Sequence, residues 1–116
     1  MKHQRSCCPV ACTLDVIGDK WTLLIVRDML LGRMHFREFA ASPERIATNI
    51  LTDRLGRLVD QELVEKFPSP EQAGRDAYRL TSRGKTLESV IKAIVKWGLE
   101  NVEGTAVKLK AKSNKA

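Results

Sequence analysis

Three cysteines crowd into six residues, Cys7, Cys8 and Cys12, and thiols so close offer redox, metal-binding or packing chemistry. Pro9 suits the first position of a helix, where its missing N–H costs nothing, so Cys8 is the expected N-cap. A thiol there meets the partial positive charge of a helix N-terminus, which lowers its pKa and raises its thiolate fraction. Lys2, His3 and Arg5 would strengthen that field. Two readings of Cys8 stand side by side: a thiol that senses oxidants or electrophiles, and an N-cap that only packs. Cys12, one turn on, is expected to act as a small hydrophobe, although it and Cys7 also offer Cys8 a resolving thiol. A Cys7–Cys8 disulfide would be strained, and a bridge between subunits is favoured over it. Two or three of these thiols with His3 could make a site, so a thiol-based metal sensor stays an alternative, although the Cys-x₃-Cys spacing is unspecific. No metal or other cofactor is expected.

A second set of residues points to nucleic acid. Thr48, Asn49 and Thr52 fall in the first turns of a helical pattern whose apolar members are Leu51, Leu55 and Leu58. Asn can bond adenine bidentately, and Thr methyls can meet thymine in the major groove. Gly56 on the same side lets a duplex approach the helix backbone, and Arg57 can reach phosphate or guanine. Asp53 and Asp60 also face outward and would repel phosphates, which favours the alternative of a protein-binding surface. Lys66, Arg75 and Arg79 gather near a hairpin tip, where they would meet the DNA backbone or minor groove. His35 has no nucleophile and carboxylate at a suggestive spacing, so it reads as a solvent-facing or phosphate-contacting side chain and not as a catalyst. No residue is assigned a catalytic role, and enzyme activity is not expected.

The elements that must position these groups follow from caps and periodicity. Pro9 to Ile17 is a short helix stopped by Gly18. Asp19 caps a second, Lys20 to Leu31, which is apolar on several faces and includes Trp21 as a core residue. Arg33 to His35 has room for a strand of two or three residues, and Phe36 to Ala41 for a two-turn helix ended by Ser42-Pro43. Ala47 to Gln61 is amphipathic, with Leu51, Leu55 and Leu58 at i, i+4 and i+7. Leu63 to Phe67 and Ala77 to Leu80 flank a Pro- and Gly-containing turn and should pair as a hairpin. Thr81 caps a long last helix, Ser82 to Asn101, with more apolar surface than one stripe needs. The fold expected is mainly α with a small β-hairpin: a winged helix-turn-helix, whose apolar surplus allows, without requiring, that its N- and C-terminal helices be dimerisation helices.

Length and charge frame this reading. One hundred and sixteen residues make one domain, 43% hydrophobic and 29% charged, values that exclude disordered, collagen-like and fibrous chains. The domain is taken as residues 1–104, and 105–116 as a basic, disordered tail with four lysines and no acid. Those four account for most of the net charge of +6, which leaves +2 on Met1 to Gly104. Bulk basicity is therefore weak evidence that the fold itself binds DNA. The run Leu23 to Val26 is far shorter than the ~20 apolar residues a membrane span needs. Met1 to Arg5 lack a secretory apolar core, so a cytoplasmic protein with reduced thiols is expected.

From Cys8 to Gly98 the chain resembles the HxlR-type transcriptional regulators, a winged-helix family allied to the MarR regulators. The resemblance is carried by Cys8-Pro9, by Leu14-Asp15-Val16-Ile17-Gly18-Asp19-Lys20-Trp21, and by Leu24 to Asp28 and Gly32 to Phe36. Ile46, Leu51-Thr52-Asp53-Arg54-Leu55, Leu58, Leu63-Val64-Glu65, Tyr78-Arg79-Leu80-Thr81, Gly84 and Trp97-Gly98 complete it. It implies a homodimer on a double-stranded, pseudo-palindromic DNA operator, with Cys8 at the position where many members hold a cysteine responsive to oxidants or electrophiles. Four features depart from the pattern. Ala47 stands for a serine, His35 for an arginine and Asp19 for a glycine, and the tip Pro70 to Asp76 has its own sequence.

Overall fold

Pro9 and Gly18 bracket the first helix as their backbone preferences require. In the computed structural model, which describes residues 5–112, α1 runs Pro9–Ile17 and the Gly18 N–H closes it on the Leu14 carbonyl at 2.7 Å. The Asp19 carboxylate accepts the N–H groups of Trp21 and Thr22 at 3.0 and 3.1 Å, so α2 begins at Thr22 and spans Thr22–Leu30. Ile25, Val26 and Met29 of α2 are buried, which makes it the central helix. Trp21 is only half-buried, with the Lys20 ammonium 5.2 Å from its ring.

After α3 (Phe36–Ala40) and a turn comes α4 (Thr48–Asp60), whose inner stripe Leu51, Leu55 and Leu58 is at most 2% exposed. The turn is held to α2 by Asp28, itself 2% exposed. Asp28 accepts from the Arg27 guanidinium at 3.0–3.1 Å and from the Ser42 hydroxyl, and Arg27 also grips Glu44 at 2.8–2.9 Å. That buried carboxylate is fully partnered, the condition under which an internal charge is tolerated. β1 (Val64–Pro68) and β2 (Asp76–Leu80) pair antiparallel, Val64 opposite Leu80 and Pro68 opposite Asp76. Val64 and Leu80 close the core over Phe39 and the α4 leucines. The arrangement is a winged helix-turn-helix.

Two expected elements differ. Arg33 to His35 forms no strand: only the Met34 carbonyl joins β2, accepting the Tyr78 N–H at 2.8 Å. The Met34 and His35 N–H groups instead donate to the Glu38 carboxylate at 3.0 Å each, so they are unavailable to a ladder. The long last helix is two, α5 (Ser82–Lys85) and α6 (Glu88–Asn101). Thr81 caps α5 as expected, accepting the Gly84 N–H at 3.0 Å. The break follows from tight turns, with Thr86 N–H bonded to the Arg83 carbonyl and Leu87 N–H to that of Gly84. Gly84 is forced by proximity, since a Cβ there would lie 1.9 Å from the Leu63 carbonyl oxygen.

Ala47 is the N-cap of α4, with φ −63° and ψ 142° and no side-chain bond to the first turn. It is exposed, so Ala47→Ser has room to supply the missing acceptor. Thermal unfolding should then show a gain of about 1 kcal/mol; an unchanged Tm would mean that the start of α4 is satisfied by other means.

Beyond α6, residues 105–112 run back over the body. Val107 and Leu109 interleave with the lysines and, with Ile94, Val95 and Leu99, line an apolar cleft of about 480 Å³. Lys115 lies outside the described residues.

Candidate nucleic-acid interface and thiol site

Burying the leucine stripe of α4 leaves Thr48, Asn49, Thr52, Gly56 and Arg57 exposed. The Thr52 hydroxyl donates back to the Thr48 carbonyl at 2.9 Å, which occupies its polar hydrogen and leaves the methyl for apolar contact. Gly56 has no internal justification: a Cβ there would meet nothing within 4 Å. A glycine inside a helix costs roughly 0.5–1 kcal/mol against alanine, so its use at an open site fits close approach by an external surface. Asn49 carries no internal side-chain bond among the described residues.

The acids on this face are partly offset. Asp53 pairs with Arg57 at 3.0 Å and also with Arg54. Arg54 reaches Asp19 at 2.9 Å, tying α4 to the turn before α2. Sequence reasoning gave Arg54 no role, although it sits in the Leu51-Thr52-Asp53-Arg54-Leu55 motif, because its partner lies 35 residues away. Asp60 is exposed.

The wing cations do not form one patch. Directly paired residues share a hairpin face, so the register puts Lys66 with Tyr78 on one face and Arg79 with Glu65 on the other. Lys66 lies 3.9 Å from Asp76 and 5.9 Å from the Tyr78 ring centroid. Arg79 bonds Glu65 at 2.6 Å and stacks 4.1 Å from the Phe67 centroid. Arg75 is at the exposed tip and shares with Arg37 a cleft of about 440 Å³ between α3 and the wing. Arg37 is a second cation that periodicity did not single out.

His35 is neither solvent-facing nor placed for phosphate. It is 4% exposed, with Nδ1 3.1 Å from Glu38 and Nε2 2.7 Å from the Ser69 hydroxyl. The cause is the wing, which folds back over the start of α3.

Burial opposes ionisation of Asp19 and Glu38, yet bonds to the charged forms win. The Thr22 hydroxyl, Arg54 and two backbone N–H groups hold Asp19 down at about 2, against an ordinary 3.8. Lys112, the N–H groups of Met34 and His35, and the His35 ring hold Glu38 at about 2, against 4.5. A carboxylate whose folded pKa is depressed contributes stability above its unfolded pKa and loses it as pH falls through the folded one. Urea midpoints should therefore drop between about pH 4.5 and pH 2, and Asp19→Asn should remove part of that drop. A midpoint flat across this window would contradict these two ion-pair networks.

At the other end of the chain, Cys8 is exposed and is the N-cap of α1. The N–H groups of Ala11 and Val10 hold its thiol below the ordinary value, the effect anticipated for a helix N-terminus. Arg5 does not contribute as expected, because it is bonded to Asp15 at 2.8 Å. Lys2 and His3 lie outside the described residues. Cys12 is half-buried, its thiol 2.9 Å from the Ser6 carbonyl. Among the described residues no group of three His, Cys, Asp or Glu is placed to hold a metal ion.

A family model described as HxlR-like helix-turn-helix matches residues 16–106. An uncharacterized HTH-type transcriptional regulator of Mycobacterium tuberculosis is 34% identical over 100 residues, 84% of this chain, and the chain spans 63% of that relative's length. Among solved structures, the redox regulator HypR in its oxidised form superposes with a TM-score of 0.74 at 34% identity, covering 83% of this chain and 99% of HypR. The transcriptional regulator YodB of Bacillus subtilis, in its reduced form, gives 0.69 at 26% identity over 87% of this chain and 100% of YodB.

Proposed function

Because the chain belongs to the HxlR-like helix-turn-helix family, a family of transcriptional regulators, we propose that it regulates transcription as a homodimer on a two-fold-symmetric DNA operator. The observation that carries this is the exposed face of α4, where Thr48, Asn49 and the Thr52 methyl flank a glycine with open space above it. Thr48, Asn49, Thr52 and Arg57 meet base edges and nearby phosphates in the major groove. Lys66, Arg75 and Arg79 serve the wing side, with Arg75 at the tip the foremost and the other two on opposite faces.

Dimerisation is supported by apolar surface that the monomer leaves uncovered. No residue of α6 is buried; Ile94, Trp97 and Leu99 are 52%, 63% and 48% exposed, and Val10 and Leu14 of α1 are 66% and 54% exposed. Covering such surface is worth about 25 cal/mol per Å², and a two-fold contact between α1 and α6 pairs would set two α4 helices about 34 Å apart, one helical turn of DNA. A cytoplasmic location is part of this reading.

Cys8 is the switch in this proposal, and the support is its exposed, acidified thiol together with the similarity to HypR, a redox regulator. A peroxide would transfer oxygen to the thiolate, giving sulfenic acid and hydroxide; condensation with a second thiol then yields a disulfide and water. The bridged dimer holds its two α4 helices at a different spacing and fits the operator less well. Peroxide should therefore release wild-type protein from its operator in a titration at fixed salt, while Cys8→Ser stays bound. A Cys8→Ser variant that still lets go on oxidation would remove Cys8 from the mechanism.

A protein-binding winged helix is the competing reading, resting on Asp53 and Asp60. The pairing of Asp53 with Arg54 and Arg57 weakens it.

A further inference from the structure

The family match stops at residue 106, but the chain after it is engaged with the body at two levels. Thr105 to Leu109 wall the apolar cleft beside α6, and the chain then reaches the turn between α2 and α3. There the Lys112 N–H donates to the Leu31 carbonyl at 2.6 Å, and its ammonium donates to Glu38 Oε2, also at 2.6 Å. Gly32, at φ 97°, leaves room for this contact: a Cβ on it would sit 3.2 Å from that of Lys112.

From Glu38 a continuous set of bonds leads to the wing. Its Oε1 lies 3.1 Å from His35 Nδ1, and His35 Nε2 lies 2.7 Å from the Ser69 hydroxyl. Ser69 follows β1 directly and closes the tip, its N–H donating to the Arg75 carbonyl at 2.8 Å. Its oxygen accepts the N–H groups of Glu71 and Gln72 at 3.2 and 3.0 Å. Both lone pairs of that oxygen are then occupied. The hydroxyl hydrogen is left to face His35 Nε2, and Nδ1 on the other side of the ring faces Glu38.

We propose that residues 105–112 form a strap that positions the wing through Lys112, Glu38, His35 and Ser69. These four are positioning residues for the backbone contact at Arg75, and the proposal rests on the DNA-binding reading of the wing. It assigns Lys112 a role other than a diffuse tail charge, because its ammonium is directed at a half-buried carboxylate and not at solvent. It also explains what His35 does: a buried ring with both nitrogens bonded is the joint between helix and wing.

The test is amide hydrogen exchange of the full chain without DNA, followed by operator titration. Lys112→Ala should speed exchange at Ser69, Glu71 and Gln72 by about three- to tenfold, the order expected for losing one charge-assisted bond whose effect is relayed through two others. Leu51 and Leu55 should be unchanged, and Lys112→Arg should restore most of the protection. Ser69→Ala should produce a similar change at Gln72, and the double variant should add little beyond either single one, as members of one network do. Operator affinity should fall by a like factor with sequence preference intact. Unchanged wing exchange in Lys112→Ala overturns the proposal, even where DNA binding weakens, since Lys112 would then be a plain phosphate contact. Faster wing exchange with unchanged DNA affinity upholds the strap and contradicts the docking of the wing on DNA.

Discussion

Leu51→Ala is expected to cost about 2–5 kcal/mol of folding stability, a large share of the roughly 5–15 kcal/mol typical of such a domain. Leu51 is 0% exposed and lies in the first turn of α4, against a core shared with Phe39, Leu55 and Val64. Truncation there removes three carbons from a site between α3 and β1, elements that cannot both move inward to refill it. The Tm should fall by about 10 °C or more, and the urea midpoint should fall with little change in slope. Thr52→Ala, one residue on but exposed, should stay within about 0.5 kcal/mol of wild type. Comparable losses at the two positions would mean that the inner and outer faces of α4 are misassigned, and with them every groove contact.

Asn49→Ala carries the second large effect, on binding and not on folding. Losing a bidentate contact to adenine should cost about 1–3 kcal/mol per half-site, or about five- to 150-fold, and should relax preference at one base pair. Asn49 is exposed and makes no side-chain bond among the described residues, so its removal should leave the folded chain intact. Arg75→Ala provides the contrast. A tip cation that meets phosphate should weaken binding to all sequences alike and lower the salt slope by about one per half-site. If Asn49→Ala behaved like Arg75→Ala, uniform across sequences and sensitive only to salt, α4 would not be reading bases.

What was legible in the chain was what local pattern controls. Leu51, Leu55 and Leu58 recur at helical spacing, and the helix they predict is observed to within a residue at each end. Pro9, Gly18 and Thr81 act where local backbone chemistry says they should. The misses are long-range. Gly84 reads as an ordinary helical position until the Leu63 carbonyl is found pressed against it. His35 reads as exposed until Ser69, 34 residues on, folds over it. The parity that separates Lys66 from Arg79 depends on which residues pair across the hairpin, and a register is not contained in either strand alone. In the candidate site, the polar start of α4 was visible as residue types at a spacing. The Arg54 bridge between Asp53 and Asp19 was not, because neither propensity nor periodicity links positions so far apart.

Footprinting tests most directly whether two α4 helices read a symmetric operator. Full-length protein would be presented with duplexes recovered from a random pool at fixed, physiological salt, and the protected positions mapped on both strands. Two protected half-sites are expected, related by a dyad and centred about 10–10.5 base pairs apart, with Asn49→Ala blurring the same position in each. Diffuse protection without symmetry, abolished by modest salt and indifferent to Asn49, would contradict that reading and leave the acidic residues of α4 as the mark of a protein-binding surface.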